Sequence, residues 1–233
     1  MISILLGSTG AVGRELLECL LSSSKYSQII LPLRNPLKEW ENYPLEQREK
    51  MKIIKRENFD FLNGTKEELI EILGTNEINS FFNCLGSVTA KGEEELRRID
   101  KTYAIYGSEV CEKLNINHYS MISARGVSTD SCILYMRVKA EAEEEVLKRN
   151  VKFIDVFEPG LIKGRANARC GEKFMGCFCT CCYPCVHVKS LAKAIMLFDL
   201  KLYESDDVEK KNINDGYKRI VSNEEILNIV MEK

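Results

Sequence analysis

Three glycines at the spacing G-x-x-G-x-x-G dictate how this chain must begin. Gly7, Gly10 and Gly13 stand in Gly7-Ser8-Thr9-Gly10-Ala11-Val12-Gly13-Arg14, behind the apolar run Ile2-Ser3-Ile4-Leu5-Leu6 and ahead of a helical pattern. A turn this tight excludes Cβ atoms, so backbone N–H groups and the positive end of the next helix can approach one anionic group closely. In a strand, turn and helix context that group is the pyrophosphate of a dinucleotide, held by residues 7 to 13. Leu16-Leu17 and Leu20-Leu21 repeat at helical spacing, as in a crossover helix lying on a parallel sheet. No Gly-Lys-Ser/Thr ending is present, which argues against an NTPase phosphate loop.

Strand and helix patterns then alternate. Strands are predicted at Gln28–Leu33, Met51–Ile54, Ile78–Cys84, His118–Ser123 and Lys152–Phe157. Helices are predicted at Lys66–Leu73, from about Glu93 to Leu114, at Ile133–Arg149, near Leu191–Phe198 and near Asn223–Met231. Pro32 removes a ladder hydrogen bond, which places it at a frayed strand end or a bulge. Residues 201 to 217 are charged and read as loop, and Glu143-Glu144-Glu145 reads as a solvated helix face. The alternation predicts a doubly wound parallel sheet, a Rossmann α/β fold, whose ligands lie beyond the carboxyl ends of the strands. Gly7, Arg34, Cys84-Leu85-Gly86, Ser123 and Pro159-Gly160 all fall at that edge.

With 233 residues, 45% of them hydrophobic, the expected organisation is a single domain over 1–233. Residues 161–188 form a small irregular, Cys-rich loop or lid on the substrate side. A formal charge of −2 provides no electrostatic footprint for nucleic acid. A strand starting at Ile2 leaves no space for an export signal, and no apolar stretch nears the ~20 residues a bilayer requires. The expectation is a cytoplasmic chain without a transmembrane segment, its ten cysteines reduced.

The chemistry-bearing residues converge on the same edge. Tyr135 and Lys139 are four apart on a predicted helix and so share a face. A phenol titrates at about 10, too high for proton exchange at neutral pH unless a neighbouring ammonium stabilises the phenolate. Ser123 ends a strand twelve residues before Tyr135. Hydroxyl, phenol and ammonium together suit hydride transfer between a nicotinamide and a carbonyl or alcohol. Ser123 would bind the substrate oxygen, Tyr135 would exchange its proton, and Lys139 would also hold the ribose. Arg34 is placed to pair with a 2′-phosphate, which favours NADP (NADPH) over NAD, with Arg14 assisting. Asp60 either accepts from the adenine amino group or caps the next helix. Cys84, Leu85 and Gly86 would border the adenosine, with Pro159 closing the edge.

Taken together, Gly7 to Arg14, Asn83-Cys84-Leu85-Gly86, Ser123, Tyr135-x-x-x-Lys139 and Glu158-Pro159-Gly160 resemble an atypical short-chain dehydrogenase/reductase, nearest to the Tat-interacting protein oxidoreductase family. The resemblance covers roughly residues 2 to 200. It implies an NADPH-binding Rossmann domain in which Tyr135 exchanges the proton and Lys139 contacts the cofactor. It also implies a link to regulatory protein–protein binding, so an NADPH-sensing regulator with a protein partner stands as the alternative to an oxidoreductase. Where family members often read Ser-Ser-Lys-Gly, this chain reads Ser123-Ala124-Arg125-Gly126, leaving Ser123 as the sole candidate hydroxyl.

One feature lies outside that resemblance. Cys170, Cys177, Cys179, Cys181, Cys182 and Cys185 place six of the ten thiols within sixteen residues. Paired C-x-x-C spacing is missing, so no metal site is assigned. Metal binding, redox switching, lipidation and a plain apolar lid with Phe174, Met175 and Phe178 all stay open. His118 is expected on a strand surface and His187 in a loop, neither with a carboxylate or thiol partner at catalytic spacing.

Overall fold

Period-two burial builds the sheet. Leu5, Ile29, Leu31 and Phe82 fall in one apolar cluster, and Ile4, Leu6, Ile30 and Phe81 in the other. These strands are thus buried on both faces, the mark of a parallel sheet covered by helices. The computed structural model describes residues 1–87, 92–165, 184–204 and 216–232. Its strands are β1 (Ile2–Leu6), β2 (Gln28–Leu33), β3 (Met51–Lys55), β4 (Ser80–Asn83), β5 (His118–Ile122), β6 (Phe153–Glu158), β7 (Leu161–Lys163), β8 (Cys185–His187) and β9 (Tyr217–Ser222). Seven form one sheet of order β3-β2-β1-β4-β5-β6-β9, parallel throughout. The expected doubly wound Rossmann fold is what the chain adopts.

The helices are α1 (Ala11–Ser22), α2 (Leu45–Lys50), α3 (Lys66–Leu73), α4 (Glu93–Arg97), α5 (Tyr103–Leu114), α6 (Leu134–Leu147), α7 (Val188–Glu204) and α8 (Asn223–Met231). The four predicted leucines of α1 are buried together with residues of α7 and α8 on one face of the sheet. Residues of α3, α5 and α6 cover the other face. Among the described residues no helix is long and apolar enough to cross a membrane.

Three features depart from the sequence pattern. The helix expected from Glu93 to Leu114 contains a π-helical turn, Arg98–Thr102, between α4 and α5. The charged stretch ends in an edge strand, β9, whose Lys218, Arg219 and exposed Ile220 hide the usual strand signature. Leu161–Lys163 pairs in parallel with Cys185–His187 as a separate two-stranded sheet. Residues 166–183, which hold all of the cysteine cluster except Cys185, lie outside the described residues. Pro32 occupies β2 two residues beyond its last pairing with β1, opposite Ile54 of β3, so the interior ladder has already opened on one side.

Candidate functional site

The strand order reverses between β1 and β4, and the glycine turn sits in the resulting crevice. Gly7 has φ +84°, and a Cβ there would come within 2.7 Å of the Cys84 carbonyl carbon and 2.8 Å of the Leu85 nitrogen. A Cβ on Gly13 would collide with the Gly7 carbonyl oxygen. Both positions are therefore restricted to glycine by the close approach of β1, α1 and the end of β4. The Gly10 N–H donates to the Gly7 carbonyl at 2.9 Å, closing the turn. Helix α1 starts with no side-chain cap and no acidic residue in its first turn, leaving its positive end open. The buried Ser8 hydroxyl beside it has no hydrogen-bond partner among the described residues.

That end borders a cleft of about 540 Å³ onto which Gly10, Ala11, Val12, Ser123, Tyr135 and Lys139 all open. Thr9 and Cys84-Leu85-Gly86 line it as well, and Ile162, Gly164 and Arg165 form part of the far wall. Ser123 follows β5 directly, and its backbone N–H is tied to the Phe157 carbonyl at 2.8 Å. Its hydroxyl is buried without a hydrogen-bond partner among the described residues. Tyr135 lies in the first turn of α6 and is partly exposed, whereas Lys139, one turn on, is 3% exposed.

The buried ammonium of Lys139 explains a residue that the sequence reading passed over. Lys139 Nζ lies 2.7 Å from Asp100 Oδ1 and donates to the Ile122 carbonyl at 2.9 Å. Asp100 sits in the π-helical turn, fully buried, and its Oδ2 accepts from the Ser87 backbone N–H at 2.7 Å. One carboxylate thus fastens the loop after β4 to the lysine of α6. A signal was available: Leu96, Asp100, Tyr103 and Ala104 share helical spacing, so the aspartate falls on an apolar stripe and demands a cationic partner.

Of the other candidates, Arg14 borders the cleft and the rest lie outside its lining. Arg34 is exposed one residue beyond β2, with its guanidinium engaged by no group among the described residues. Arg14 is turned back, donating to the Thr9 carbonyl at 3.1 Å and standing 3.4 Å from Glu39. Asp60 accepts from the Tyr103 hydroxyl at 3.1 Å, while Thr65 caps α3. Pro159 is buried, and its carbonyl accepts from the Arg125 N–H at 3.0 Å. His187 is exposed at the end of β8, its Nδ1 accepting from the Lys189 N–H at 3.3 Å. Among the described residues no group of three or more ligating side chains could hold a metal.

Two expectations need correction. Glu143 is not on a solvated face: the twist of α6 turns it inward, 6% exposed, while Glu144 stays outside. His118 is not on a surface either. It is wholly buried at the start of β5, with Nδ1 2.6 Å from Asp199 of α7 and Nε2 3.1 Å from Asp155 of β6. Both aspartates are far away in sequence, so local spacing carried no trace of them. Burial opposes a charged imidazole, but hydrogen bonds to Asp155 and Asp199 and their negative charge prevail and raise its pKa to about 9.

No family model matches the chain. Protein HTATIP2 of Rattus norvegicus is 30% identical over 178 residues, covering 74% of this chain and 69% of the rat protein. The mitochondrial protein FMP52 of Saccharomyces cerevisiae is 26% identical over 175 residues, 72% of this chain and 69% of the yeast protein. Among solved structures, a putative NAD-dependent epimerase/dehydratase from Bacillus halodurans superposes with a TM-score of 0.64 at 18% identity, covering 100% of both chains. MoeE5 in complex with UDP-glucuronic acid and NAD gives a TM-score of 0.63 at 14% identity, covering 95% of this chain and 75% of MoeE5. At such identities the structural likeness concerns the fold.

Proposed function

Since the chain belongs to the HTATIP2 (Tat-interacting protein) family of proteins resembling short-chain dehydrogenases, we propose that it is an NADP-dependent oxidoreductase acting on a small carbonyl or alcohol. The observation that carries this reading is the single cleft shared by Ser123, Tyr135, Lys139 and the uncapped start of α1. The site suits a nicotinamide dinucleotide: side chains are excluded at Gly7 and Gly13, and the open helix end favours an anion there. When bound, the nicotinamide supplies the carbon that gives or takes hydride.

The remaining work falls to the chain. The N–H groups of Ala11 and Val12 would hold the pyrophosphate, Cys84 to Gly86 would border the adenosine, and Arg34 would pair with the 2′-phosphate. Lys139, fixed by Asp100 and the Ile122 carbonyl, would hold the ribose hydroxyls. Ser123 donates to the substrate oxygen and Tyr135 gives or takes a proton at that oxygen. Aligned this way, the oxygen is polarised on one side and protonated on the other.

The test is calorimetry with NADPH and NADH, followed by NADPH oxidation against quinones, aldehydes and ketones, with Tyr135→Phe as the control. Turnover abolished by that substitution is the expected result. Tight NADPH binding with no turnover on any carbonyl favours the regulatory alternative, and absence of binding to either dinucleotide overturns both.

A further inference from the structure

Tyr135, Lys139 and Glu143 follow one another at intervals of four along α6 and so form one stripe. The first two have roles in the reaction proposed above, on which this inference rests. The third is a buried carboxyl with no assigned task. Its Oε1 has no hydrogen-bond partner among the described residues, and the same holds for the buried Ser123 hydroxyl. The stripe lies against the end of β5, because Lys139, one turn before Glu143, donates to the carbonyl of Ile122, the residue before Ser123, at 2.9 Å, and the Ser123 hydroxyl acts to lower the Glu143 carboxyl. Two unmatched polar groups side by side, one opening onto the cleft, form an incomplete chain that a substrate oxygen would complete.

We propose that Glu143 is a positioning residue that sets the direction in which the Ser123 hydroxyl donates. A serine hydroxyl has a single hydrogen. When the Glu143 carboxyl is protonated it donates to Ser123 Oγ, and the serine hydrogen is left to point into the cleft at a carbonyl oxygen. When Glu143 is ionised it captures that hydrogen, and Ser123 offers the substrate only a lone pair. Carbonyl reduction needs the first arrangement.

The surroundings allow both forms near neutral pH. Burial dominates and raises the carboxyl; Ser123 lowers it, Glu158 of β6 raises it, Lys139 lowers it and Glu144 raises it, for a value of about 7. Asp100 of the π-helical turn faces the same lysine and so answers part of its charge. Glu158 is itself raised by burial, against the opposing influence of the Gly126 N–H and Arg125.

The experiment combines infrared titration of the protonated-carboxyl stretch in the cofactor-free protein with pH profiles of kcat for carbonyl reduction by NADPH. In the unaltered protein a carboxyl band titrates near pH 7 and kcat falls about tenfold between about pH 6 and pH 8, the scale of one hydrogen bond. Glu143→Gln, whose amide donates at every pH, abolishes the band and the tenfold fall while NADPH affinity changes less than about twofold. Ser123→Ala shifts the band because its hydrogen-bond acceptor is gone.

A Glu143→Gln protein with an unaltered pH profile overturns the proposal, as does a band indifferent to Ser123→Ala. A protein that reduces no carbonyl, yet whose band shifts with Ser123→Ala, refutes the enzymatic reading and leaves the Glu143–Ser123 pairing standing.

Discussion

Strand β5 begins with His118 and runs out at Ser123, and its two ends treat buried polarity in opposite ways. At the amino end the groups are matched. His118 lies between Asp155 and Asp199; Asp199 also accepts from Tyr26 at 2.5 Å and from Ser80, and Asp155 accepts from Arg219 at 2.6 Å. At the carboxyl end the Ser8 and Ser123 hydroxyls and Glu143 Oε1 are buried without hydrogen bonds among the described residues, and Asp100 with Lys139 forms a firm pair around them. Ser3, early in β1, carries a hydroxyl away from that end that is unmatched among the described residues. Buried polar atoms are expensive to leave unpaired, so a satisfied cluster reads as scaffold and a cluster of vacant partners as a ligand site. The same sheet thus separates a self-sufficient end from a waiting one.

The largest effect that would break this division is catalytic. Tyr135→Phe removes only a hydroxyl from a partly exposed ring, so its expected loss is about 10²–10⁴-fold in carbonyl turnover with an unchanged thermal midpoint. Next come the two charge clusters. Removing one member of a buried charged set strands the others, and both Asp100→Ala and His118→Ala are expected to cost about 3–5 kcal/mol in urea unfolding. Only Asp100→Ala should also weaken NADPH binding, because it frees Lys139 and the Ser87 loop. A His118 variant that folds and loses NADPH affinity to the same degree would erase the distinction between the ends.

Legibility follows the same line. The glycine turn, Tyr135, Lys139 and Ser123 were readable because local geometry places them: glycines betray a close backbone approach, i to i+4 spacing a shared helix face, and a strand end its edge. The six strands β1 to β6 and the helices α1, α3, α6, α7 and α8 were readable from apolar period and its punctuation. The burial of Asp100 and Glu143 was written in helical spacing but passed over, whereas the partners of Asp100 and the whole environment of His118 were not legible, since distant segments supply them. The π-helical turn that carries Asp100 leaves no mark in Arg98-Ile99-Asp100-Lys101-Thr102, whose composition fits an ordinary helix. Strand β9 was lost because edge strands tolerate the charges that a loop also carries.

A smaller effect sharpens the carboxyl end. Arg34 has no partner among the described residues, so Arg34→Ala should leave folding untouched and lower NADPH affinity by about 10–100-fold, the worth of hydrogen bonds to a charged phosphate, with NADH affinity unchanged. Equal losses for both dinucleotides would place the 2′-phosphate elsewhere.

The smallest effect is a pair of slopes in stability against pH, one from each end of β5. His118 is raised from 6.5 to about 9, so its contribution is complete below about 6.5 and fades as pH climbs through 9. Asp155 is held below 3.8, burial being outweighed by His118 and Arg219, so its contribution holds above that value and vanishes only in acid. Glu143 acts in the reverse sense to a paired carboxylate: raised from 4.5 to about 7, it binds its proton more tightly when folded, and stability declines as pH rises between those values. Urea midpoints followed against pH should therefore fall in two windows. Glu143→Gln should flatten the lower window, leaving the residue of it that Glu158 contributes, and keep the upper one; His118→Gln should do the opposite. If either substitution flattens both windows, the two ends are one titrating unit, and the contrast between a satisfied scaffold and a waiting site fails.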